Sequence, residues 1–290
     1  MGFFVTQIMK LTCYPKINLG LKVHPVDEFG YHPIQSLFFY AVGKVKDEIQ
    51  ISSNDSTEID IPGFEISQAD NLVYKAYLAL LKHKVSLQDH LIKIEKKIPT
   101  GAGLGGGSSN AGVYLKTFGK ELSKLSVIAR NLGADVPFFL QNKACLVSGH
   151  GEILEPLSEK IEIPALLITP KIHSNTGLIF KIFDELPQST WTYDPDSILH
   201  YLKSADCKLH DILHNDLELA ACKANPKLAL VFSELRKILT DRSFYCGMSG
   251  SGSAFFALFK TRMLVKTTVP KLQNLGYPVH EITLCSEIIG

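Results

Sequence analysis

The sequence has almost no excess of charge of one sign. Thirty Lys and Arg residues stand against 29 Asp and Glu residues, which gives a formal net charge of +1 over 290 residues. This balance excludes the strongly basic composition that is typical of nucleic-acid-binding and membrane-surface proteins. Long apolar runs are missing too, since 37–42 and 254–259 are far shorter than the roughly 20 residues of a transmembrane helix. We therefore expect small-molecule partners, with no nucleic acid and no membrane.

Paired cysteines are also lacking. The six cysteines are scattered, and none has the Cys-x-x-Cys spacing of a zinc or redox site. Most have apolar or small neighbours, as buried thiols in a reducing compartment do. The first residues show neither a basic start nor the long apolar segment of a secretion signal. We predict a cytoplasmic location, and we interpret residues 1–8, ahead of Met9, as a dispensable extension or an early start.

What is present is an ordinary globular composition, with 46% hydrophobic residues, 21 Gly and 14 Pro. The length lies near the limit of roughly 250–300 residues at which a single core tends to split. Pro164, Pro170 and the mostly polar stretch 187–195 mark a change of region, so we predict two domains, residues 1–157 and 158–290. Helical and strand patterns mix without strict β-α-β repetition, which predicts an α+β fold.

Apolar periodicity locates the expected elements. Strands are predicted over 11–23, 37–42, 47–52, 91–98, 163–169 and 279–284, and a strand, glycine turn and strand over 243–260. Helices are predicted over 71–84, 110–118, 123–131, 198–202, 209–223, 227–239 and through 270–275.

The most informative segment lies between the strand at 91–98 and the helix at 110–118. It places five glycines between Gly101 and Gly107, followed by Ser108 and Ser109. Clustered glycine costs backbone entropy and is kept where the chain needs positive φ or close approach to a ligand. A glycine-rich turn that leads into a helix offers N–H groups and a positive dipole end to phosphate. No P-loop lysine and no ribose-binding acid follow at the required spacing, so we predict a polyphosphate cradle of another type.

Four segments, in order, resemble motifs of the GHMP kinase superfamily. Pro99–Gly112 resembles its phosphate loop, Pro15–Leu21 its first motif, Gly133–Phe139 its catalytic aspartate motif and Gly247–Gly252 its third, glycine-rich motif. The triple glycine Gly105–Gly107 and the Gly30-Tyr31-His32 segment are similar to one branch, the 4-diphosphocytidyl-2-C-methyl-D-erythritol kinases of the non-mevalonate isoprenoid pathway.

The resemblance implies a two-lobed fold, with the active site in the cleft between lobes, that uses ATP and Mg²⁺ to phosphorylate the 2-hydroxyl of the cytidyl substrate. It implies Lys16 beside the accepting hydroxyl and Asp135 as catalytic base. The nucleotide-binding candidates are Asn71, Lys96, Pro99, Gly101, Gly103, Leu104, Gly105, Gly106, Gly107, Ser108 and Ser109. The substrate-binding candidates are Asn18, Tyr31, His32, Thr176 and Phe180. Ser108 or Ser109 is a candidate Mg²⁺ ligand, and no carboxylate ligand is assigned.

Simpler interpretations stay open for several residues. Asp135 also fits a helix cap, Lys96 an exposed strand lysine, and Tyr31 and Phe180 core aromatics. Pro15, Phe29 and Ser253-Ala254 depart from the family pattern and put details of the substrate pocket in doubt. At the level of function, the alternatives are another GHMP kinase, such as a homoserine or mevalonate kinase, and a nucleotide-binding sensor without turnover.

Overall fold

The computed structural model describes residues 8–187 and 189–289. Its strands are β1 (Met9–Cys13), β2 (Lys16–Val23), β3 (Ile34–Gly43), β4 (Asp47–Ser53), β5 (Glu58–Asp60), β6 (His90–Glu95), β7 (Cys145–Ser148), β8 (Ile153–Pro156), β9 (Glu162–Ile168), β10 (Tyr245–Met248), β11 (Phe255–Leu258) and β12 (Val279–Cys285). Its α-helices are α1 (Leu72–Lys82), α2 (Gly106–Gly119), α3 (Leu125–Leu132), α4 (Thr176–Asp184), α5 (Pro195–Ser204), α6 (Leu209–Ile212), α7 (Glu218–Ala224), α8 (Pro226–Leu239) and α9 (Arg262–Gln273). This mixture confirms the α+β class.

The chain forms two compact units, and it passes between them several times. The first unit contains residues up to Pro15, Val45–Ile98 and Gly105–Gln141, and the second contains Lys16–Lys44, Pro99–Leu104 and the residues from Asn142 onward. These units are discontinuous in sequence, whereas the sequence predicts two contiguous domains divided at residue 157. The difference arises because β2 and β3, near the start of the chain, pair with each other in the sheet of the second unit. The interpretation of residues 1–8 falls, except for Ile8, outside the described residues.

In the first unit, strand order is β1-β4-β6-β5, with helices packed on the sheet. Ile92 and Ile94 of β6 are buried while Lys93 is exposed, so the alternation in the sequence marks a half-buried strand as predicted. Helix α1 begins where Asn71 Oδ1 accepts a hydrogen bond from Val73 N at 2.8 Å. The buried faces of α1 and α2 complete one hydrophobic core with these strands.

Helix α2 also packs on the short 3-10 helix Val136–Leu140 of the same unit. A Cβ added at Gly112 would lie 2.5 Å from Phe139 Cβ and 3.1 Å from Val136 O. Gly112 therefore allows the backbones to approach, and this packing fixes the helix that Asp135 immediately precedes.

In the second unit, strand order is β10-β11-β9-β12-β3-β7-β8, and β2 pairs with β3. All eight residues of β2 are buried, including Lys16 and Lys22. Helices α4, α7, α8 and α9 contribute to a second hydrophobic core that includes Phe183, Phe232 and Leu272. None of the described helices is both long enough and apolar enough to cross a membrane.

Several boundaries differ from the sequence expectation. The helix predicted over 209–223 breaks into α6 and α7, because the chain between them pairs with β2: Leu21 N donates to His214 O and Asp216 N donates to Leu21 O, both at 2.9 Å. The strand predicted over 11–23 is two strands in two units. Helix α2 starts at Gly106, four residues early, inside the glycine cluster.

We expect Gly112→Ala to lower the free energy of unfolding by roughly 1–3 kcal/mol, because the new methyl group meets the rigid Cβ of Phe139. Urea denaturation measures the change. Gly107→Ala is the matched control in the same helix, since its Cβ meets only Leu72 Cδ1 at 3.6 Å. Helix propensity then leaves stability unchanged or raises it by up to about 1 kcal/mol. Equal losses in both variants would contradict the packing argument.

Candidate active site

The first half of the glycine loop, Pro99–Leu104, is bound within the second unit. Four successive carbonyls accept hydrogen bonds there: Gly101 O from Ser174 N (2.9 Å), Ala102 O from Ala254 N (3.1 Å), Gly103 O from Ser249 Oγ (3.2 Å) and Leu104 O from Lys16 N (3.0 Å). Gly101 and Gly103 have φ of +63° and +74°, which favour glycine. This half of the loop therefore has a defined conformation, and its carbonyls accept hydrogen bonds from the second unit.

The third glycine-rich motif, Gly247–Gly252, packs on this loop. A Cβ at Gly103 would lie 2.2 Å from Ser249 O, so the two backbones leave no space for a side chain. Asn215 supports the turn from its other side, because its Nδ2 donates to Met248 O at 3.0 Å and to Gly250 O at 2.8 Å. Its Oδ1 accepts a hydrogen bond from Leu217 N, so one side chain caps the chain before α7 and holds the turn.

Lys16 and Asn18 lie beside the same turn. The Lys16 side chain is buried, and its Nζ donates to Asn18 Oδ1 and lies 4.7 Å from the centre of the Phe38 ring. The Asn18 amide donates to Ser36 Oγ at 3.2 Å. A Cβ at Gly250 would be 3.1 Å from Asn18 Oδ1 and 3.4 Å from Lys16 Nζ. The second unit therefore holds a buried ammonium group against a glycine turn.

The second half of the glycine loop begins α2 in the first unit. Gly105, with φ of +67°, precedes the helix, and no side chain caps its first turn. The first N–H groups of a helix have no earlier helical carbonyl to bind. Gly107 is exposed, and Ser108 is half-buried. This helix start offers N–H groups and a positive dipole end, which is the chemistry of an anion site.

Three other nucleotide-binding candidates have structural partners in the first unit. Ser109 is fully buried, and its Oγ donates to Tyr14 O at 2.8 Å, so its hydroxyl anchors the helix, and Ser108 is the more accessible hydroxyl. Asn71 uses Oδ1 to cap α1. The Lys96 side chain is only 7% exposed and pairs with Asp47, so the interpretation as an exposed strand lysine is wrong.

Asp135 directly precedes the 3-10 helix Val136–Leu140 and is half-buried. Its side chain makes no capping hydrogen bond to that helix. The helix-cap interpretation is therefore wrong, and capping does not account for a carboxylate at this position.

In the second unit, His32 and Phe180 lie together. Their rings stack with centres 5.3 Å apart and planes 28° apart. His32 Nδ1 donates to His24 O at 2.8 Å, and Nε2 lies 3.0 Å from Asp184 Oδ1. Thr176 is placed differently, because its Oγ1 shares a 2.8 Å hydrogen bond with Ser251 Oγ in the third glycine-rich motif.

Tyr31 is 65% exposed, so it is not a core aromatic, and its ring centre lies 5.5 Å from that of His150. Asp27 shapes this loop: Oδ1 accepts hydrogen bonds from Phe29 N at 2.9 Å and Tyr31 N at 3.2 Å, and Oδ2 lies 2.7 Å from His150 Nε2. Desolvation alone would raise the pKa of Asp27, but the hydrogen bonds from His150, Tyr31 and Phe29 together hold it below its usual value. Phe29, which departs from the family pattern, supplies its backbone to the turn while its ring is 70% exposed.

Comparison with known proteins places the chain in a family. The GHMP kinases N terminal domain model matches residues 71–143, which include the glycine loop and Asp135. A curated 4-diphosphocytidyl-2-C-methyl-D-erythritol kinase of Porphyromonas gingivalis is 35% identical over 85% of this chain and 90% of that protein. The chain belongs to the 4-diphosphocytidyl-2-C-methyl-D-erythritol kinase family. A crystal structure of a 4-(cytidine 5'-diphospho)-2C-methyl-D-erythritol kinase matches with a TM-score of 0.78 and 30% identity, over 96% of this chain and 99% of the other.

Solved structures of lower sequence identity share the fold. A homoserine kinase from Cytophaga hutchinsonii matches with a TM-score of 0.67 at 17% identity, over 99% of this chain and 98% of the other. That likeness shows the fold alone.

Sequence reasoning missed two contributors to the site. Asp47, the first residue of β4, is fully buried and accepts hydrogen bonds from backbone N–H groups just before the glycine loop. The available signal was the alternation of β4, in which Asp47 occupies the same buried register as Ile49 and Ile51. Asp27 was also missed, although an acidic residue shortly before Gly30 is a common turn signal.

We expect Gly103→Ala to cost about 2–4 kcal/mol of unfolding free energy, because backbone strain adds to a clash with Ser249 O. Gly30→Ala is the matched control, since Gly30 has a similar φ of +79° but no atom within 4 Å of an added Cβ. Strain alone then costs about 1 kcal/mol. Urea denaturation of both variants separates the two effects, and equal losses would show that the contact with Ser249 is not limiting.

The depressed pKa of Asp27 predicts a pH dependence. A carboxyl group with a lower pKa in the folded state stabilises the fold above its unfolded pKa, and this contribution is lost as pH falls through the folded pKa. Asp27→Asn should therefore be less stable than the parent at pH 7, and the difference should shrink below about pH 4. Urea denaturation of both proteins from pH 7 to pH 3 measures it; a difference that is constant with pH would argue against the ionised Asp27.

Proposed function

We propose that this chain transfers the γ-phosphoryl group of ATP to the 2-hydroxyl of 4-diphosphocytidyl-2-C-methyl-D-erythritol, in non-mevalonate isoprenoid biosynthesis. The observation that carries the proposal is the glycine loop, which ends in an uncapped helix start, in a chain 35% identical to a kinase of that name. Phosphoryl transfer to an alcohol depends mainly on positioning and on charge stabilisation, so a fixed loop that leads into helix N–H groups fits the reaction.

The start of α2 is the proposed site of the ATP phosphates, with Gly105–Gly107 and Ser108 closest to them. Glycine there permits close approach, and the helix dipole favours the negative charge. A bound Mg²⁺ ion would neutralise phosphate charge. Among the described residues no group of three His, Cys, Asp or Glu side chains is arranged to hold a metal. The ion is therefore proposed to bind chiefly through the phosphates, with Ser108 as a protein ligand, as Mg²⁺ commonly does.

Lys16 and Asp135 are the proposed catalytic pair. Asp135 accepts the proton of the attacking hydroxyl, and its place at the start of a helix that its side chain does not cap supports this assignment. The Lys16 ammonium stabilises the charge that develops on the hydroxyl oxygen. Burial of Lys16 beside Asn18 restricts its movement, which favours a fixed orientation during the reaction.

Tyr31 and Phe180 are proposed to stack on the cytosine base, and His32 and Asn18 to make polar contacts with the substrate. Exposed Tyr31 offers an open ring face, and Phe180 already stacks on His32. His32 Nε2 now lies near Asp184, so a hydrogen bond to the base would replace that contact. Thr176 is proposed to act at the third glycine-rich motif, where it binds Ser251.

Two alternatives are less well supported. A homoserine or mevalonate kinase shares only the fold with this chain and does not account for the Gly30-Tyr31-His32 loop that Asp27 shapes. A nucleotide-binding sensor without turnover has no need for both Lys16 and Asp135.

A cytoplasmic location is also proposed, because all six cysteines are free thiols.

We expect Lys16→Ala and Asp135→Asn each to lower kcat at least about a hundredfold, which is the lower range for positioned acid–base groups. A coupled ADP-release assay with the cytidyl substrate, homoserine and mevalonate in parallel measures turnover and specificity. Lys93→Ala and Asp60→Asn, which alter exposed residues of the sheet in the first unit, are the matched controls. Folded parent protein without turnover of the cytidyl substrate, or full activity in Asp135→Asn, would overturn the proposal.

A further inference from the structure

We infer that Asp47 is the positioning residue of the phosphate loop. Its buried carboxylate ties the chain that leads into the loop to the helix that follows it. The inference rests on the proposed function, since it assigns the purpose of this tie to ATP binding, and all of its contacts lie within the first unit.

The two carboxylate oxygens of Asp47 bind two different segments. Oδ1 accepts hydrogen bonds from Lys97 N at 2.7 Å and Ile98 N at 2.9 Å, immediately before the glycine loop. Oδ2 accepts from Asn110 Nδ2 at 3.0 Å, in the second turn of α2, and from Lys96 Nζ. One side chain therefore bridges both sides of the glycine cluster.

Asn110 and Lys96 complete the connection. Asn110 Oδ1 accepts a hydrogen bond from Lys96 Nζ at 2.9 Å, so the three side chains form a closed triangle of polar contacts. The first turn of α2 rests on the same residues: a Cβ at Gly106 would lie 2.9 Å from Ile98 Cγ2 and 3.4 Å from Lys96 Nζ. The helix start and the preceding strand end are thus held at contact distance.

Stability alone is a poor explanation for this arrangement. Burying an ion pair carries a desolvation cost that its attraction often only offsets, and apolar replacements of such pairs are frequently neutral or stabilising. The gain is geometric, because charge-assisted hydrogen bonds fix both segments in a single orientation. A phosphate site needs its N–H groups fixed in this way before the ligand arrives.

Charge also favours the arrangement. Asp47 and Lys96 neutralise each other inside the unit, where their side chains are 0% and 7% exposed. The dipole of α2 is then the unbalanced positive field at the start of the helix. Lys96 accordingly acts through the loop, as a partner of Asp47, and does not serve as a direct phosphate ligand.

Asp47→Asn separates the two halves of the tie. An amide oxygen in place of Oδ1 still accepts from Lys97 N and Ile98 N, but the amide nitrogen in place of Oδ2 then faces two donors, Lys96 Nζ and Asn110 Nδ2. Asn110 presents Nδ2 to position 47 and Oδ1 to the Lys96 ammonium, and turning its amide to offer Oδ1 to the introduced amide would place Nδ2 against the ammonium. The link to α2 is therefore the half that breaks.

The test measures, by titration calorimetry, the Kd for a non-hydrolysable ATP analogue in the presence of Mg²⁺. Steady-state kinetics give the KM values for ATP and for the acceptor. We expect Asp47→Asn to raise Kd for the analogue and KM for ATP at least about tenfold, the usual scale for loss of a supporting hydrogen-bonded residue, and to leave KM for the acceptor within about twofold of the parent. Ile92→Ala, a buried change in β6, is the control for general destabilisation and should leave KM for ATP within about twofold well below its Tm. An unchanged Kd in folded Asp47→Asn would overturn the inference.

The double variant Asp47→Asn/Lys96→Met keeps the inference testable if the single variant does not fold. Removal of the ammonium lets Asn110 turn its amide and bind the amide introduced at position 47, which restores a link between strand end and helix. We expect the double variant to fold. If Asp47→Asn also folds, the double variant should have the lower Kd for the analogue; if Asp47→Asn does not fold, the Kd of the double variant should lie within about threefold of the parent value. If Lys96 instead binds phosphate directly, both Lys96→Met and the double variant lose at least about tenfold in affinity, which contradicts the inference.

Amide hydrogen exchange separates this inference from the proposed function. We expect the N–H groups of residues 109–112 to exchange at least about tenfold faster in Asp47→Asn than in the parent, with or without nucleotide. These are the first hydrogen-bonded N–H groups of α2, beginning with Ser109 N, which donates to Gly105 O at 2.7 Å, and loss of the link to Asp47 opens the helix start. Unchanged exchange there overturns the positioning role. A parent protein that keeps slow exchange but binds no nucleotide and turns over no substrate overturns the proposed function alone.

Discussion

The close contact between Gly103 and the backbone of Ser249 is the constraint on which much of the candidate site depends. It brings two glycine-rich segments, far apart in sequence, within hydrogen-bonding distance. In the same arrangement the carbonyls of residues 101–104 accept hydrogen bonds inside the second unit, which fixes this half of the glycine loop. A side chain at position 103 would separate the segments, and the buried Lys16, whose N–H binds Leu104 O, would lose its place beside them.

Buried polar side chains stand at both halves of the candidate site. Asp47 and Lys96 are paired in the first unit, and Lys16 and Asn18 in the second. Each polar group has defined partners, which is the condition for burying it without a large penalty. A net charge of +1 is compatible with a polyphosphate ligand for this reason, since helix N–H groups and a few fixed ions act locally.

Local signals in the sequence predicted the glycine turn before α2, the amphipathic helix α1 and the alternating strand β6. They failed where distant segments decide the structure. The helix expected over 209–223 is broken because Leu21 pairs with residues 214–216, and no periodicity in that stretch reveals its partner. The local sequence around Lys96 fits an exposed strand lysine, because the partner that buries it, Asp47, lies 49 residues earlier in the chain. Burial of a charge is a property of the pair, which a single sequence does not display.

The loop that contains Gly30 is shaped by hydrogen bonds to Asp27 and not by the side chain at position 29. Phe29 stands where the family usually carries an acidic residue, yet the turn that presents Tyr31 is braced by Asp27, two residues earlier, through two backbone N–H groups and His150. A carboxylate can satisfy the same N–H groups from a nearby position, because a turn needs an acceptor and not a particular residue number. The geometry of the substrate loop is therefore maintained by its hydrogen bonds, and the exposed ring of Phe29 is free to vary without disturbing them.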